Sequence, residues 1–102
     1  MAIFETLADP SRRRILELLR AGERPVGELV DALGMSQPAV SRHLRVLREA
    51  GMVEARVDAQ RRVYRLRPGS LLELAAWLEP YRLLWSGRLD ELEHHLEEME
   101  DG

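Results

Sequence analysis

The segment from Met35 to Gly51, MSQPAVSRHLRVLREAG, constrains this chain most, because it contains the signals for both ends of one helix. Ser36 is a good N-cap residue, since its hydroxyl can accept from a backbone N–H of the first turn. Pro38 follows where a missing N–H costs nothing. Gly51 suits a left-handed stop. The sequence therefore predicts a helix that begins after Ser36 and ends just before Gly51.

This helix is apolar on one side only. Val40, Leu44 and Leu47 recur at spacings of four and three, which places them in one buried stripe. The opposite side offers hydroxyls and arginines with very little carboxylate. Its residues are Pro38, Ser41, Arg42, Arg45, Arg48 and Glu49. Such a surface is suited to contact an anion, and DNA is the anion that we expect.

Charge is segregated along the chain, although the 102 residues carry a net charge of only −3. Residues 9–67 hold 13 Arg against 8 Asp and Glu, a balance of +5, whereas residues 70–102 hold 2 Arg against 9 Asp and Glu, a balance of −7. This pattern is typical of a protein that presents one face to phosphates and keeps another away from them.

Composition argues against several classes of function. The chain has no Cys, which excludes a disulfide framework, a thiolate metal site and thiol redox chemistry. Ser41 and His43 are two residues apart on one helix and face different ways, so they form no catalytic dyad. With no glycine-rich phosphate loop either, we expect no enzyme and no cofactor. Because no apolar run approaches about 18 residues, we expect a cytoplasmic protein without a membrane partner.

Three predicted helices precede the Ser36 helix, and capping residues, prolines and glycines mark their ends. They are residues 1–8, a second helix opened by Asp9 and Pro10 and ended by Gly22, and a third opened by Pro25 and closed by Gly34. Only a short joint at residues 34–35 separates the third helix from the next. Two helices joined by a tight glycine-containing turn, the second one basic outside, form a helix-turn-helix at about residues 25–50.

After Gly51 the apolar period changes from near four to two. Val53, Ala55 and Val57 alternate with charged residues, and Val63 and Tyr64 lie among arginines. This pattern predicts a two-stranded hairpin with its tip at residues 58–61. A lone hairpin is marginal in water, so we expect it to pack on the helices.

The last third of the chain reads as helix. Ser70 can cap residues 71–79, and Pro80 indicates a kink or a new start. An apolar seam follows a four-three rhythm through Trp85, Leu89, Leu92, Leu96 and Met99. The seam either packs on its own domain or pairs with a second copy, and we favour pairing. The predicted dimer interface comprises Ile3, Phe4, Leu7, Trp77, Tyr81, Trp85, Leu89, Leu92 and Leu96.

Three segments together resemble the ArsR/SmtB family of bacterial transcriptional repressors: LADPSRRRILELL (7–19), SQPAVSRHLRVLREAGMVEAR (36–56) and RRVYRL (61–66). The tail WSGRLDELEHHL (85–96) is similar to a cysteine-free branch of that family. The resemblance implies a mainly α winged helix-turn-helix fold with a small β-hairpin wing at about 52–67. It implies one DNA-binding domain over 1–102, with C-terminal dimerisation helices at about 70–100. The implied function is a homodimeric repressor of an inverted-repeat DNA operator.

This chain departs from the family at its sensor positions. Metal-sensing members carry a Cys-x-Cys pair where Pro25 and Gly27 stand, and neither residue can ligate a metal. Asp90, His94 and Glu98 have the i, i+4 spacings that can hold zinc, but ordinary salt-bridged histidine is the favoured interpretation. A zinc- or small-ligand-responsive repressor that uses the C-terminal helix is the alternative function.

Two further positions leave alternatives open. Trp77, Tyr81 and Trp85 either form interface core or line an apolar pocket for an effector that the sequence does not identify. At the tip of the wing, Gln60 stands where many relatives place Gly. Because a tight hairpin favours positive φ, which Gln adopts poorly, we expect a longer or looser wing.

The predicted DNA-binding residues lie on the basic helix and the hairpin. They are Ser36, Gln37, Ser41, Arg42, His43, Arg45, Arg56, Arg61 and Arg62. Arginine can bridge guanine and glutamine can bridge adenine, while the hairpin arginines suit phosphate or minor-groove contact. His43 either contacts DNA or packs inside. Three arginines at residues 12–14 either contact phosphate or are solvated.

Overall fold

The computed structural model describes residues 2–101, and the side chains of all of these except residues 89, 100 and 101. Its helices are α1 Ala2–Leu7, α2 Pro10–Arg20, α3 Val26–Leu33, α4 Gln37–Glu49 and α5 Pro68–Asp101, and its strands are β1 Arg24–Pro25, β2 Val53–Asp58 and β3 Arg61–Leu66. The chain divides into two compact units, residues 1–72 and 73–102. None of the described helices is long and apolar enough to cross a membrane.

The predicted helix ends of α2 and α4 are confirmed by their capping contacts. The carboxylate of Asp9 accepts hydrogen bonds from the backbone N–H groups of Ser11 at 2.8 Å and Arg12 at 3.2 Å. The hydroxyl of Ser36 accepts from the N–H of Ala39 at 3.3 Å. Gly51, with a φ of 73°, provides the left-handed stop after α4.

The core of the first unit is built from one apolar stripe on each helix and one face of a sheet. The predicted stripe on α4 is confirmed, since Val40, Leu44 and Leu47 are at most 1% exposed. The other buried apolar residues are Ile3, Ile15, Leu19, Leu29, Met52, Val53, Val63 and Tyr64. Because α4 is anchored along its whole apolar stripe, its polar side is held at the surface.

The predicted two-stranded hairpin is confirmed by β2 and β3, but the sequence did not predict the strand that extends it. A third strand, β1, pairs antiparallel with β3, with Arg24 opposite Tyr64, so that the strand order is β1-β3-β2. The extra strand is only two residues long, too short to show a period of two in the sequence. It joins the hairpin to the start of α3 and so fixes the hairpin beside the helix-turn-helix.

The hairpin turn is tight, and the prediction of a longer or looser wing was wrong. Asp58 pairs with Arg61, which leaves only two residues in the turn. Ala59 carries the positive φ, at 57°, and Gln60 does not. We expected the strained backbone at Gln60, the second residue of the turn. It lies instead at Ala59, the first residue, which is the position with positive φ in a type II′ turn.

The C-terminal region is one continuous helix rather than two. Pro80 lies inside α5, so no new helix begins there. Ser70 also lies inside α5 and is not its cap. Its hydroxyl instead donates to the carbonyl of Ala50 at 2.6 Å, which fastens the start of α5 to the end of α4. The two bonded residues are 20 positions apart, so the residues that surround Ser70 in sequence do not indicate this bond.

Two of the three arginines that open α2 cap the preceding helix. Nε of Arg12 donates to the carbonyl of Thr6 at 2.7 Å, and Nη1 of Arg13 donates to the carbonyl of Leu7 at 2.7 Å. Arg14 forms an ion pair with Glu17 at 3.3 Å. Carbonyls at a helix C-terminus lack intrahelical partners and carry partial negative charge, which explains cations in the first turn of α2.

Candidate nucleic-acid interface

An open groove of about 860 Å³ runs along the polar side of α4. The first half of α3 and the adjoining end of β1 form one wall, and the tip of the hairpin with the start of β3 forms another. Its polar and charged lining residues are Glu28, Asp31, Gln37, Ser41, Arg42, Arg45, Arg48, Gln60, Arg61, Arg62 and Tyr64. Four elements, β1, α3, α4 and β3, together with the hairpin turn, therefore line one concavity.

The arginines of this groove are mostly free of acidic partners. Within the described part of the chain, seven arginine side chains make no ion pair and no hydrogen bond, and four of these line the groove. The four are Arg42, Arg45, Arg48 and Arg62. Unpaired guanidinium groups collected in one concavity produce a positive potential, which suits a phosphate backbone.

The groove also has two acidic residues, both on α3. Glu28 lies 3.8 Å from Arg24 in an exposed i, i+4 ion pair. Asp31 is exposed and has no ion-pair partner among the described side chains. Five arginines face these two carboxylates, since Arg61 also lines the groove, so the lining is cationic.

Six of the nine predicted DNA-binding residues come together in the groove. They are Gln37, Ser41, Arg42, Arg45, Arg61 and Arg62. Arg48, which the sequence places on the polar side of α4, and Gln60 also line the groove but were not among the predicted DNA-binding residues. Arg48 could have been included, since it follows Arg45 by three residues on the same polar face. Gln60 enters the groove because of the tight turn, which the sequence did not predict.

The other three predicted residues have different surroundings. The hydroxyl of Ser36 caps α4. His43 is half-buried and is absent from the groove lining. Of the two roles left open for His43, this position favours packing.

Arg56 is exposed, but its guanidinium is paired with an acidic residue. Its guanidinium makes two hydrogen bonds to the carboxylate of Glu23, which directly precedes β1. The bonds to Arg56 hold the pKa of Glu23 below its ordinary value, and Glu23 in turn raises the pKa of Arg56. Both groups are charged at neutral pH, and Arg56 does not line the groove.

The candidate zinc residues on α5 do not assemble. Nε2 of His94 lies 3.2 Å from Oε1 of Glu98 in an exposed i, i+4 pair. Asp90 has no ion-pair contact with His94 in the described region, and no three His, Asp or Glu side chains there form a group that could hold a metal ion. The contacts of α5 therefore do not favour the zinc alternative.

The predicted dimer seam on α5 is exposed in the single chain. Trp85 is 69% exposed, and Leu92 and Leu96 are about half exposed. The rings of Trp77 and Tyr81 lie 5.2 Å apart, while Tyr81 and Trp85 line a shallow cavity of about 290 Å³. The side chain of Leu89 lies outside the described residues.

The predicted interface residues of α1 differ in exposure. Ile3 is 6% exposed within one chain, so it belongs to the protomer core. Phe4 is 40% exposed and Leu7 is half-buried. Of the three, Phe4 therefore has the most surface to offer a second copy.

Known proteins with this sequence pattern are bacterial regulators. A sequence profile described as "Bacterial regulatory protein, arsR family" matches residues 9–55. The HTH-type transcriptional regulator Rv2034 of Mycobacterium tuberculosis is 45% identical over 78 residues, 76% of this chain and 73% of that protein. The transcriptional repressor SdpR of Bacillus subtilis is 30% identical over 76 residues, 74% of this chain and 84% of SdpR. The chain belongs to the ArsR family.

Solved structures agree with this ArsR-family assignment. The crystal structure of M. tuberculosis Rv0081 is 40% identical, with a TM-score of 0.64 over 84% of this chain and 88% of that one. The homodimeric winged helix-turn-helix DNA-binding domain of Mb0332 from Mycobacterium bovis is 33% identical, with a TM-score of 0.66 over 79% of this chain and 75% of that one. The predicted family, winged helix-turn-helix fold and class of function, a DNA-binding transcriptional regulator, are confirmed.

Proposed function

We propose that this ArsR-family chain is a homodimeric repressor that binds an inverted-repeat DNA operator through the groove along α4. The observation that carries the proposal is the collection of four unpaired arginines in that groove. Relatives named as a repressor and as a homodimeric DNA-binding domain support the same function.

In the bound state α4 lies in the major groove of DNA. Ser41, Arg42 and Arg45 project from its polar side within little more than one turn of helix, so they can reach neighbouring base edges. Arginine can donate two hydrogen bonds to guanine. Gln37, in the first turn of α4, can donate one hydrogen bond to adenine and accept another from it. Arg62 on the hairpin contacts the phosphate backbone, because a phosphate needs only a cation within reach.

Dimerisation uses the exposed seam of α5. Trp85, Leu92 and Leu96 leave a large apolar strip open to water on a single chain, and a second copy of the helix covers it. Two identical subunits present two recognition helices related by a two-fold axis, so the operator has matching two-fold symmetry.

The groove is tested by substitution of its unpaired arginines. Arg42→Ala is expected to weaken binding to DNA from the gene's own promoter by about 1–3 kcal/mol, because it removes a base contact. Fluorescence anisotropy measures the affinity, and log affinity should fall linearly as log salt rises. Arg20→Ala is the matched control, since Arg20 is also exposed and unpaired among the described residues but lies outside the groove.

Three results would count against the proposal. One is no binding of the wild-type protein to promoter DNA at low salt. Another is an equal loss of affinity in Arg42→Ala and Arg20→Ala, which would mean that only total charge matters. The third is affinity that does not respond to salt.

A further inference from the structure

The face of the wing that carries Arg56 is covered by alternating charges. Glu54 lies opposite Arg65 and Asp58 lies opposite Arg61 in the register of β2 and β3, and Arg56 stands between the two acidic residues on the same face. Residues directly opposite in an antiparallel pair share one face of the sheet. The charged side chains of this face are therefore close enough to pair.

Every cation on this face is paired with a carboxylate. Arg65 contacts Glu54, Arg61 contacts Asp58 at 3.2 Å, and Arg56 contacts Glu23. Three arginines and three acids make the face neutral. The adjoining groove differs, because Arg62 has no ionic partner among the described residues. One small sheet thus carries paired charges on this face, with Arg61 at the edge of the groove, and the unpaired Arg62 on the other face.

Glu23 differs from the other two acids of this face by its position. Glu54 and Asp58 belong to β2 itself and contact arginines across the hairpin, whereas Glu23 lies 33 residues before Arg56 in sequence. It is exposed, and two hydrogen bonds join it to Arg56. Arg56 lies opposite Val63, the neighbour of Arg62, so it stands beside the groove residues without belonging to them.

We propose that Glu23 withholds Arg56 from the phosphate backbone and thereby limits the sequence-independent part of the affinity for DNA. The inference rests on the proposed function, because it concerns how much of the DNA contact is independent of sequence. Each phosphate contact adds affinity for every duplex whatever its sequence, whereas base contacts favour only the operator. An acid that occupies one arginine of the wing therefore lowers affinity for every duplex by the same factor and leaves the base contacts of α4 unchanged.

The test is the variant Glu23→Gln, assayed on an operator duplex and on a random-sequence duplex of equal length. Release of Arg56 should raise affinity for both duplexes by about threefold at about 50 mM salt, and the gain should be largely gone at about 200 mM. The plot of log affinity against log salt should become steeper by about 0.9. Glu79→Gln is the matched control, since Glu79 also makes two hydrogen bonds to an arginine, Arg82, on α5. It should change neither slope nor affinity.

The same substitution in the Arg56→Gln variant distinguishes release of Arg56 from the simple loss of a negative charge. In the double variant, Glu23→Gln removes the same carboxylate but no guanidinium is present to be released. The slope of log affinity against log salt should therefore be no steeper than in Arg56→Gln alone. Equal effects in both backgrounds, or unchanged or weaker binding in Glu23→Gln, would overturn the inference. Thermal melts of all variants establish that each is folded. If the wild-type protein fails to bind either duplex, the proposed function fails instead.

Discussion

At the scale of the residue, the role of an arginine in this chain is decided by its nearest oxygen atoms. Arg12 donates to carbonyls that end α1, and Arg56 donates to the carboxylate of Glu23. Arg42 and Arg45 have no such partner in the described structure and point into the groove. The sequence shows all of them as equivalent cations. Only the fold distinguishes those that are already occupied from those that are available to phosphate.

One residue in the wing carries backbone strain that a single substitution can relieve. Ala59 has a φ of 57°, a conformation that costs an L-residue about 1 kcal/mol and costs glycine almost nothing. We expect Ala59→Gly to raise the free energy of unfolding by about 0.5–1 kcal/mol in urea titrations. Ala32→Gly, in the exposed face of helix α3, should have the opposite sign. Destabilisation by both substitutions would contradict the strained turn.

At the scale of the element, helices α2 and α4 could be predicted because their end signals are local. Asp9 and Ser36 cap through backbone groups two or three residues away, and Gly51 follows directly. Strand β1 could not be predicted, since its evidence is a pairing with β3 about 40 residues later. The same reason applies to the bond from Ser70 to Ala50 and to the pair of Glu23 with Arg56. Contacts distant in sequence leave no periodic trace.

The cap of α2 makes stability depend on pH. Burial alone would raise the pKa of Asp9, but N–H bonds from Arg12 and Ser11 and the charges of His43 and Arg12 outweigh it, so the pKa is lowered. The charged cap therefore stabilises the fold above the ordinary pKa of aspartate, and this contribution is lost as the pH falls through the lowered value. We expect Asp9→Asn, which keeps an acceptor but does not titrate, to reduce the loss of thermal stability in acid.

A second substitution at the same position measures the cap itself. Asp9→Ala should lower the free energy of unfolding at pH 7 by about 0.5–2 kcal/mol, because two N–H groups of α2 lose their acceptor. Asp31→Asn is the control, since Asp31 caps no helix of the described chain. Equal melting temperatures for Asp9→Ala and the wild-type protein at pH 7 would mean that the cap contributes nothing.

At the scale of the whole molecule, charge and exposed apolar surface are divided between the two units of the chain. The cationic groove belongs to the first unit, while the acidic second unit carries the apolar seam of α5. The groove could be predicted in its main residues because helical periodicity places Ser41, Arg42 and Arg45 together. The exclusion of Arg56 from the groove could not be predicted, because the acid that neutralises it, Glu23, lies just before β1 and far from the hairpin in sequence.

The seam is tested by one charged substitution. Leu92 is 53% exposed in the single chain, so Leu92→Glu leaves the described core intact and places a charge in the proposed interface. We expect sedimentation to show a monomer, and operator affinity to fall by more than tenfold because one subunit engages only one half-site. Glu93→Gln, a neighbour outside the seam, should remain dimeric. A dimeric Leu92→Glu protein would contradict the assignment of the seam.

The most direct measurement of the central claim is a hydroxyl-radical footprint of the protein on its operator. Two subunits that place α4 in successive major grooves should protect two patches whose centres lie about 10 base pairs apart. The double variant Arg42→Glu with Arg45→Glu should protect neither. A single protected patch, or two patches that persist in the double variant, would contradict the claim that paired copies of α4 recognise the DNA.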